Sequence, residues 1–501
     1  MTYSTHLLLT LSILPAASLH ETLQNILGRR LELIEADLSA FLAQECSPTH
    51  AFDLEHRLAD RLRELGRDVL ESLYNRLEGD DPHKLPSHLR VEGEDYRLVR
   101  DKTRHAVDTL FGPIALKRHL YRPVARDAAE KSFAPVERVL GVVEGTTPAL
   151  AEAAARLAAQ AGASQRQVQD QLAAQHGVTI GTERLRAVLD HMSGTMAEAR
   201  QELQAQRLLA LLSQADQSTG RTKPVLTVSR DGISLRKEQY SLFEVATTAT
   251  VTVSDRRGQR LGTVYLAFAP ELGQQQMTAQ LTGLIEEVLR RWEGPLPRLA
   301  YVTDAGDNET AYYEKVLRPM VHPRTGEQLS WQRIIDFYHA MERVWKLADV
   351  LFADDPRGRW SWGRRMGRLL KKANGPFRVL HAAAALKARQ TLNGAEKEEY
   401  RKAYNYLCTR TQWMQYCEYA RVNLPLGSGI VEAACKTIYT QRLKLSGMRW
   451  SKAGAQVILN LRVVLLSGVW EAAYRHTLTS YITTSTIPPG CKEEISLQMA
   501  R

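Results

Sequence analysis

Between Val225 and Phe337 the hydrophobic pattern changes kind several times, and this limits what the chain can fold into. Val225–Ser229 reads as a strand, and Leu242–Ser254 and Leu261–Phe268 are β-rich runs joined by the turn Asp255-Arg256-Arg257-Gly258. A helix from about Gln276 to Trp292 follows, with Leu281, Leu284, Ile285, Val288 and Leu289 on one face. Leu299–Thr303 and Gln332–Phe337 are then two short buried strands. Three antiparallel strands, a helix and two more strands reached by helical crossovers give an α/β class.

The flanking sequence is mostly helical. From His20 to about Glu78, Leu23, Ile26, Leu27, Leu31, Leu33 and Ile34, then Leu54, Leu58, Leu62, Leu65, Val69 and Leu73, recur at helical spacing. Such amphipathic helices pack on each other or on a second subunit. Asp80–Pro86 breaks the pattern. Ala106–Phe111 and Ile114–Tyr121 about Gly112-Pro113 predict a β-hairpin. Pro148–Met192 predicts three short helices: an Ala-rich one closed by Gly162, one capped by Ser164 and turned by Gly177, and one capped by Thr179 that ends near His191. That is the pattern of a helix-turn-helix with Arg184 and Arg186 facing outward as DNA contacts, although a plain three-helix bundle gives similar spacing. Leu347 to about Asn423 is helical, as is Gly429 to about Tyr474, and the tail from Thr477 looks loose.

The expected division is therefore an N-terminal helical region over 1–90, a β-hairpin unit over 91–140 and a helix-turn-helix over 141–200. An α/β domain follows over 220–345, interrupted by a helical insertion over 346–425 and completed by helices over 426–475, with a tail over 476–501. The strand order is that of the ribonuclease-H-like fold.

Composition narrows the partners. The chain has 501 residues, 44% of them apolar, with 66 Lys and Arg against 56 Asp and Glu, so it carries +10. A basic excess favours a polyanionic partner. It is concentrated in Arg357–Arg378, where Arg357, Arg359, Arg364, Arg365, Arg368, Lys371, Lys372 and Arg378 occur with no acid. Five scattered cysteines without a C-x-x-C pair argue against a disulfide framework or a zinc knuckle and fit a reducing cytoplasm. Leu7–Leu19 is apolar but lacks a basic start and is too short to span a bilayer, so no membrane role is expected.

Three acids stand where phosphoryl-transfer chemistry would need them. Asp231 closes the first strand in Ser229-Arg230-Asp231-Gly232, Asp304 closes the fourth in Thr303-Asp304-Ala305-Gly306, and Glu432 begins a helix after Leu426-Gly427-Ser428-Gly429. In a sheet of this order the first and fourth strands are neighbours, so the carboxylates can converge. Displacement at a phosphodiester builds charge on the entering and leaving oxygens, which two Mg²⁺ ions about 3.5–4 Å apart stabilise. Mg²⁺ takes hard oxygen ligands, so a few carboxylates suffice, and Mn²⁺ is expected to substitute. Each acid alone has a plainer reading: Asp-Gly as a turn, Asp304 as a cap, Glu432 at the positive end of its helix. Asp307 is the alternative to Asp304, which is preferred because it stands directly at the strand end.

These segments, together with Asp336-Phe337-Tyr338-His339 and Lys444–Trp450, resemble bacterial insertion-sequence transposases of the DDE type, in the Mutator-like branch and most closely the Kra-four (ISKra) family. The resemblance covers about Val225–Leu465. It implies that Asp231, Asp304 and Glu432 bind the metals and that Asp336 and His339 lie beside them. His339 then either positions the scissile phosphate or is an N-terminal helix residue satisfied by backbone. No cysteine pairs flank the hairpin, so a zinc-supported N-terminal module is not expected.

Double-stranded DNA, as transposon ends and target, is the expected partner, with a homodimer or higher homo-oligomer working in the bacterial cytoplasm at the nucleoid. Arg364, Arg365 and Arg368 would neutralise phosphates, and Trp360 would stack on an unpaired base. Trp362 is a stacking or a core residue. Lys436, one turn from Glu432, together with Arg442, Lys444 and Arg449, would extend the basic surface; the alternative for Lys436 is an ion pair with Glu432. Two competing readings are a DNA-binding regulator without catalysis and a nuclease of the same fold that never joins strands.

Overall fold

The computed structural model describes residues 16–78, 85–91, 94–125, 132, 134–236, 243–480 and 485–486. The chain divides into two compact units, one comprising 1–196 with 474–501 and the other 197–473. The expected break at Asp80–Pro86 lies mostly outside the described residues, as does most of the apolar run Leu7–Leu19.

In the first unit, helices α1 (Ala16–Leu42) and α2 (Pro48–Tyr74) pack together and are tied by ion pairs from Arg30 to Glu64 and Asp68 and from Arg61 to Asp37. Strands β1 (His88–Val91), β2 (Glu94–Thr109) and β3 (Gly112–Pro123) form an antiparallel sheet. Thr109 pairs with Gly112, so the hairpin turns at Leu110-Phe111, just before the expected Gly112-Pro113. Gly112 opens β3 at φ 105°, a conformation that suits glycine. Helix α3 (Pro135–Val139) packs on β3 and is followed by α4 (Pro148–Ala159), α5 (Gln165–His176) and α6 (Thr182–Asp216). Ser164 and Gln167 form a reciprocal capping box, and Gly177 ends α5 in the left-handed region. Helix α6 begins three residues after the expected cap Thr179 and runs on past His191 to Asp216, with the division between the units inside it.

The second unit is a mixed α/β domain. Its sheet contains β4 (Val225–Arg236), β5 (Phe243–Ser254), β6 (Arg260–Phe268), β7 (Arg298–Thr303) and β8 (Trp331–Ile335), in the order β6-β5-β4-β7-β8. The first three are antiparallel; β7 joins β4, and β8 joins β7, in parallel. Successive strand residues serve opposite faces. Leu226, Val228, Leu299 and Tyr301 pack with the C-terminal part of α6 and with α7 (Gln275–Arg291). Val225, Ala300 and Val302 pack against a second layer, formed by α9 (Phe337–Leu351), α10 (Pro356–Leu370), α11 (Gly375–Lys387), α12 (Gly394–Cys408) and α13 (Tyr416–Arg421). The short helix α8 (Asp307–Tyr312) follows β7. Helices α14 (Gly429–Cys435), α15 (Lys452–Leu466) and α16 (Trp470–Ser480) complete the order, and a two-residue strand β9 (Ser485–Thr486) pairs with β1 in the first unit. The rest of the tail expected to be loose lies outside the described residues. Among the described residues no single helix is long and apolar enough to cross a membrane.

One buried acid gives the first unit a pH dependence. Glu78 is 3% exposed, accepts the His119 backbone N–H at 2.6 Å, and is pushed up to about 7 by its burial. From the ordinary value near 4.5 up to about 7, the unfolded chain releases a proton that the folded unit retains, so stability falls as pH rises through this window. Glu78→Gln keeps the acceptor and removes the charge. Its thermal midpoint is expected to exceed the parent's above pH 7 and to converge with it near pH 4, as read by circular dichroism.

Candidate metal centre

The centre is built around the start of α9. Asp336 is fully buried and caps this helix: its Oδ1 accepts the His339 N–H at 2.9 Å. Its Oδ2 accepts both the backbone N–H and, at 2.7 Å, the hydroxyl of Ser428, in the loop that opens α14. Burial alone would raise this carboxyl, but His339 and the donors from Ser428 outweigh it and hold Asp336 down at about 2. A Cβ on Gly427 would stand 3.2 Å from Asp336 Oδ2 and 3.3 Å from the Tyr338 ring, so glycine lets this loop approach closely.

His339 sits three residues on, on the same face of the helix as Asp336. Its Nδ1 is 3.5 Å from Asp336 Oδ1 and 3.6 Å from Glu432 Oε1, beyond ordinary hydrogen-bond length. The Asp336 carboxylate raises the imidazole to about 9 against the opposing effect of burial, with Asp304 adding to the rise. Glu432, in the first turn of α14, accepts the Ser428 hydroxyl at 3.1 Å. Ligand atoms of Asp336, His339 and Glu432 lie within 4.8 Å of one another.

Asp231 approaches from β4. It does not close the strand, as expected, but lies inside it, paired with Thr248 of β5. The Asp-Gly pair makes no turn because β5 continues to hydrogen-bond through Gly232 to Arg236, whereas β7 pairs with β4 only as far as Val228. Asp231 therefore stands on the part of β4 that extends past its parallel neighbour. Burial raises its carboxyl, and the Asp304 charge raises it further, against the hydrogen bond from Cys435 and the charge of His339. Cys435, the last residue of α14, places its Sγ 3.4 Å from Asp231 Oδ2. Burial and the neighbouring Asp231 keep this thiol protonated, so it donates.

Asp304 follows β7 as expected. Its Oδ1 accepts the Gly306 N–H at 3.0 Å, and its carbonyl accepts the Tyr406 hydroxyl at 2.6 Å. Asp307, the alternative ligand, is exposed at the start of α8. The acid that joins the group instead is Glu309, which is buried and raised, first by burial and then by the charge of Asp304. Cys435 carries no local signal because its partner Asp231 lies 204 residues earlier, and Glu309 reads as an ordinary first-turn acid until burial beside Asp304 sets it apart.

The expected DNA contacts divide. Arg364, Arg365 and Arg368 are exposed on α10 without carboxylate partners among the described residues, and Trp360 is 58% exposed with Arg364 over its ring at 4.5 Å. Trp362 is a core residue at 2% exposure. Lys436, Lys444 and Arg449 are exposed. Arg442 is not part of that surface: it is 1% exposed, with its guanidinium over Trp450 at 5.2 Å. In the first unit Arg186 is exposed and donates to Gln165. Arg184 turns inward instead, to the Asp108 carboxylate at 2.5 Å and the carbonyls of Glu144 and Gly145 at 2.7 and 3.0 Å, which leaves its guanidinium to hold the loop after the hairpin.

No family model matches the chain. It is similar to a protein of Streptococcus gallolyticus described as "UPF0236 protein in vanSb 3'region", with 22% identity over 438 residues, covering 85% of this chain and 86% of that one.

Removing the Ser428 hydroxyl tests how far the centre supports the fold. Ser428→Ala removes a hydroxyl whose single proton lies between two carboxylates, nearer the fully buried Asp336, and is expected to cost about 1–3 kcal/mol in urea unfolding. An unchanged midpoint would show that the backbone N–H of Ser428 suffices for Asp336.

Proposed function

We propose that this chain is a DNA transposase of the DDE type, which binds the ends of an insertion sequence and cuts and joins DNA strands by phosphoryl transfer. The observation that carries this reading is that α14 sets Glu432 3.6 Å from His339 and Cys435 3.4 Å from Asp231 of β4, the strand beside β7, which Asp304 follows. The sheet order, three antiparallel strands followed by two parallel ones, is the order of the ribonuclease-H-like fold and supports the same reading. The run of helices from α9 to α13, between the second and third acids, suits the insertion of that fold.

Divalent ions held by these carboxylates would supply the stabilisation of charge on the attacking and leaving oxygens. The residues of the chain fit such ions, since Asp231 and Glu309 are raised by burial and then by the neighbouring Asp304 charge, and a cation would favour their ionised forms. Cys435 fixes the rotamer of Asp231 by its hydrogen bond, and Ser428 fixes both Asp336 and Glu432. Arg364, Arg365 and Arg368, with Lys436 and Arg449, offer the phosphate contacts, and Trp360 a face for an unpaired base. The helix-turn-helix of α4 to α6 is assigned end recognition, with Arg186 as its outward arginine. The setting is the bacterial cytoplasm, at the nucleoid, and the working form is a homo-oligomer.

Asp231→Asn, Asp304→Asn and Glu432→Gln each keep shape and remove one charge. Each variant is expected to fold and to bind a duplex taken from the flanks of its own coding sequence, yet to cleave it slower by orders of magnitude, since each 1.36 kcal/mol is about tenfold in rate. Parental cleavage by all three would end the proposal, and cleavage without joining of 3′-hydroxyl ends would make the protein a nuclease. For the basic face, replacing Arg364, Arg365 and Arg368 by Gln should lower DNA affinity and flatten its salt dependence by about 0.9 in slope per lost contact. A slope equal to the parent's would mean that this face does not touch DNA.

A further inference from the structure

We infer that His339 is itself a metal ligand, and that Asp336, His339 and Glu432 hold a divalent transition ion rather than Mg²⁺. The inference rests on the phosphoryl-transfer reading and adds a ligand set with a nitrogen in it. His339 Nδ1 is shielded from solvent and has no partner at hydrogen-bond distance, although it faces two carboxylate oxygens at 3.5 and 3.6 Å. Two ligands about 2.1 Å from one ion, at a tetrahedral angle, stand about 3.4 Å apart. The two gaps match that spacing and are longer than the roughly 3 Å of an ordinary hydrogen bond.

The supporting contacts also suit a ligand set. Asp336 is held on both oxygens by Ser428 and by the His339 backbone, so its position is fixed before any ion arrives. On the proposed function Glu432 would also serve an ion at Asp231 and Asp304, which would make it the residue linking two ions. An imidazole nitrogen changes the choice of metal. Mg²⁺ favours oxygen ligands and retains its waters, whereas Mn²⁺, Co²⁺ and Zn²⁺ accept nitrogen readily. The alternative is a protonated His339 held between two carboxylates as a plain ion pair, with no metal bound to it.

Mn²⁺ distinguishes the two. The full-length protein is titrated with Mn²⁺ and followed by electron paramagnetic resonance, with electron spin-echo modulation recorded on the bound ion. The expected result is modulation from a directly bound nitrogen, lost in His339→Gln, with Mn²⁺ affinity at this site lowered about tenfold or more in that variant. Mg²⁺ should displace the ion only in large excess. Bound Mn²⁺ without nitrogen modulation, at an affinity unchanged by His339→Gln but lowered by Asp231→Asn and Asp304→Asn, overturns this inference and leaves the phosphoryl-transfer reading standing. Absence of Mn²⁺ binding at millimolar concentration overturns both. Because the nitrogen signal is read on the parent protein, a variant that fails to fold does not remove the test.

Discussion

The buried carboxylate of Asp336 is the constraint on which the second unit's centre depends. A charge taken wholly out of water is costly unless every lone pair is answered. Here the answers come from two places far apart in sequence, the first turn of α9 and the loop before α14. Satisfying Asp336 therefore joins the two helices and fixes where Glu432 begins. The tolerance is narrow at Gly427, where even a methyl group would come within 3.2 Å of the carboxylate.

The sheet supplies the other half of the placement. Parallel pairing of β4 with β7 lasts only from Val225 to Val228, while antiparallel pairing with β5 continues to Arg236. Asp231 is thus carried past the end of β7, and Asp304 lies just beyond that same end. Two acids from adjacent strands then meet the helix that brings Glu432 and Cys435. A single change of pairing length sets this, and neither strand's own sequence announces it.

Much of this was legible in the sequence because it is local. The five strands, the Asp255–Gly258 turn and the capping residues Ser164 and Gly177 are fixed by neighbours in the chain, and each was expected close to where it lies. What was not legible is set by distant partners. Asp231-Gly232 has turn chemistry, but pairing with Thr248 and Thr247 keeps it extended. Arg184 has an outward-looking spacing, but Asp108, 76 residues earlier, draws it in. Helix α6 was expected to end near His191; it continues through Gly194 because an internal glycine costs only about 1 kcal/mol, less than the burial of Leu208, Leu211 and Leu212 beyond it returns.

The crowding of like charges around His339 is itself informative. Asp231, Asp304, Glu309, Asp336 and Glu432 interact within one region, and burial leaves Asp231 and Glu309 reluctant to ionise. Replacing Asp231 or Glu309 by a neutral isostere would relieve burial and repulsion, whereas Asp336, with both oxygens answered by donors, is stabilised as the charged form. Arg230, whose guanidinium lies over the Tyr312 ring at 4.5 Å and donates to Gln274 and Thr278, offsets part of the charge at Glu309. The acids of the group outnumber the cations that act on them, His339 and Arg230. On the proposed function the group would seat cations that arrive from solution, and the exposed arginines of α10 would serve the opposite need, drawing a polyanion toward acids that would otherwise repel it.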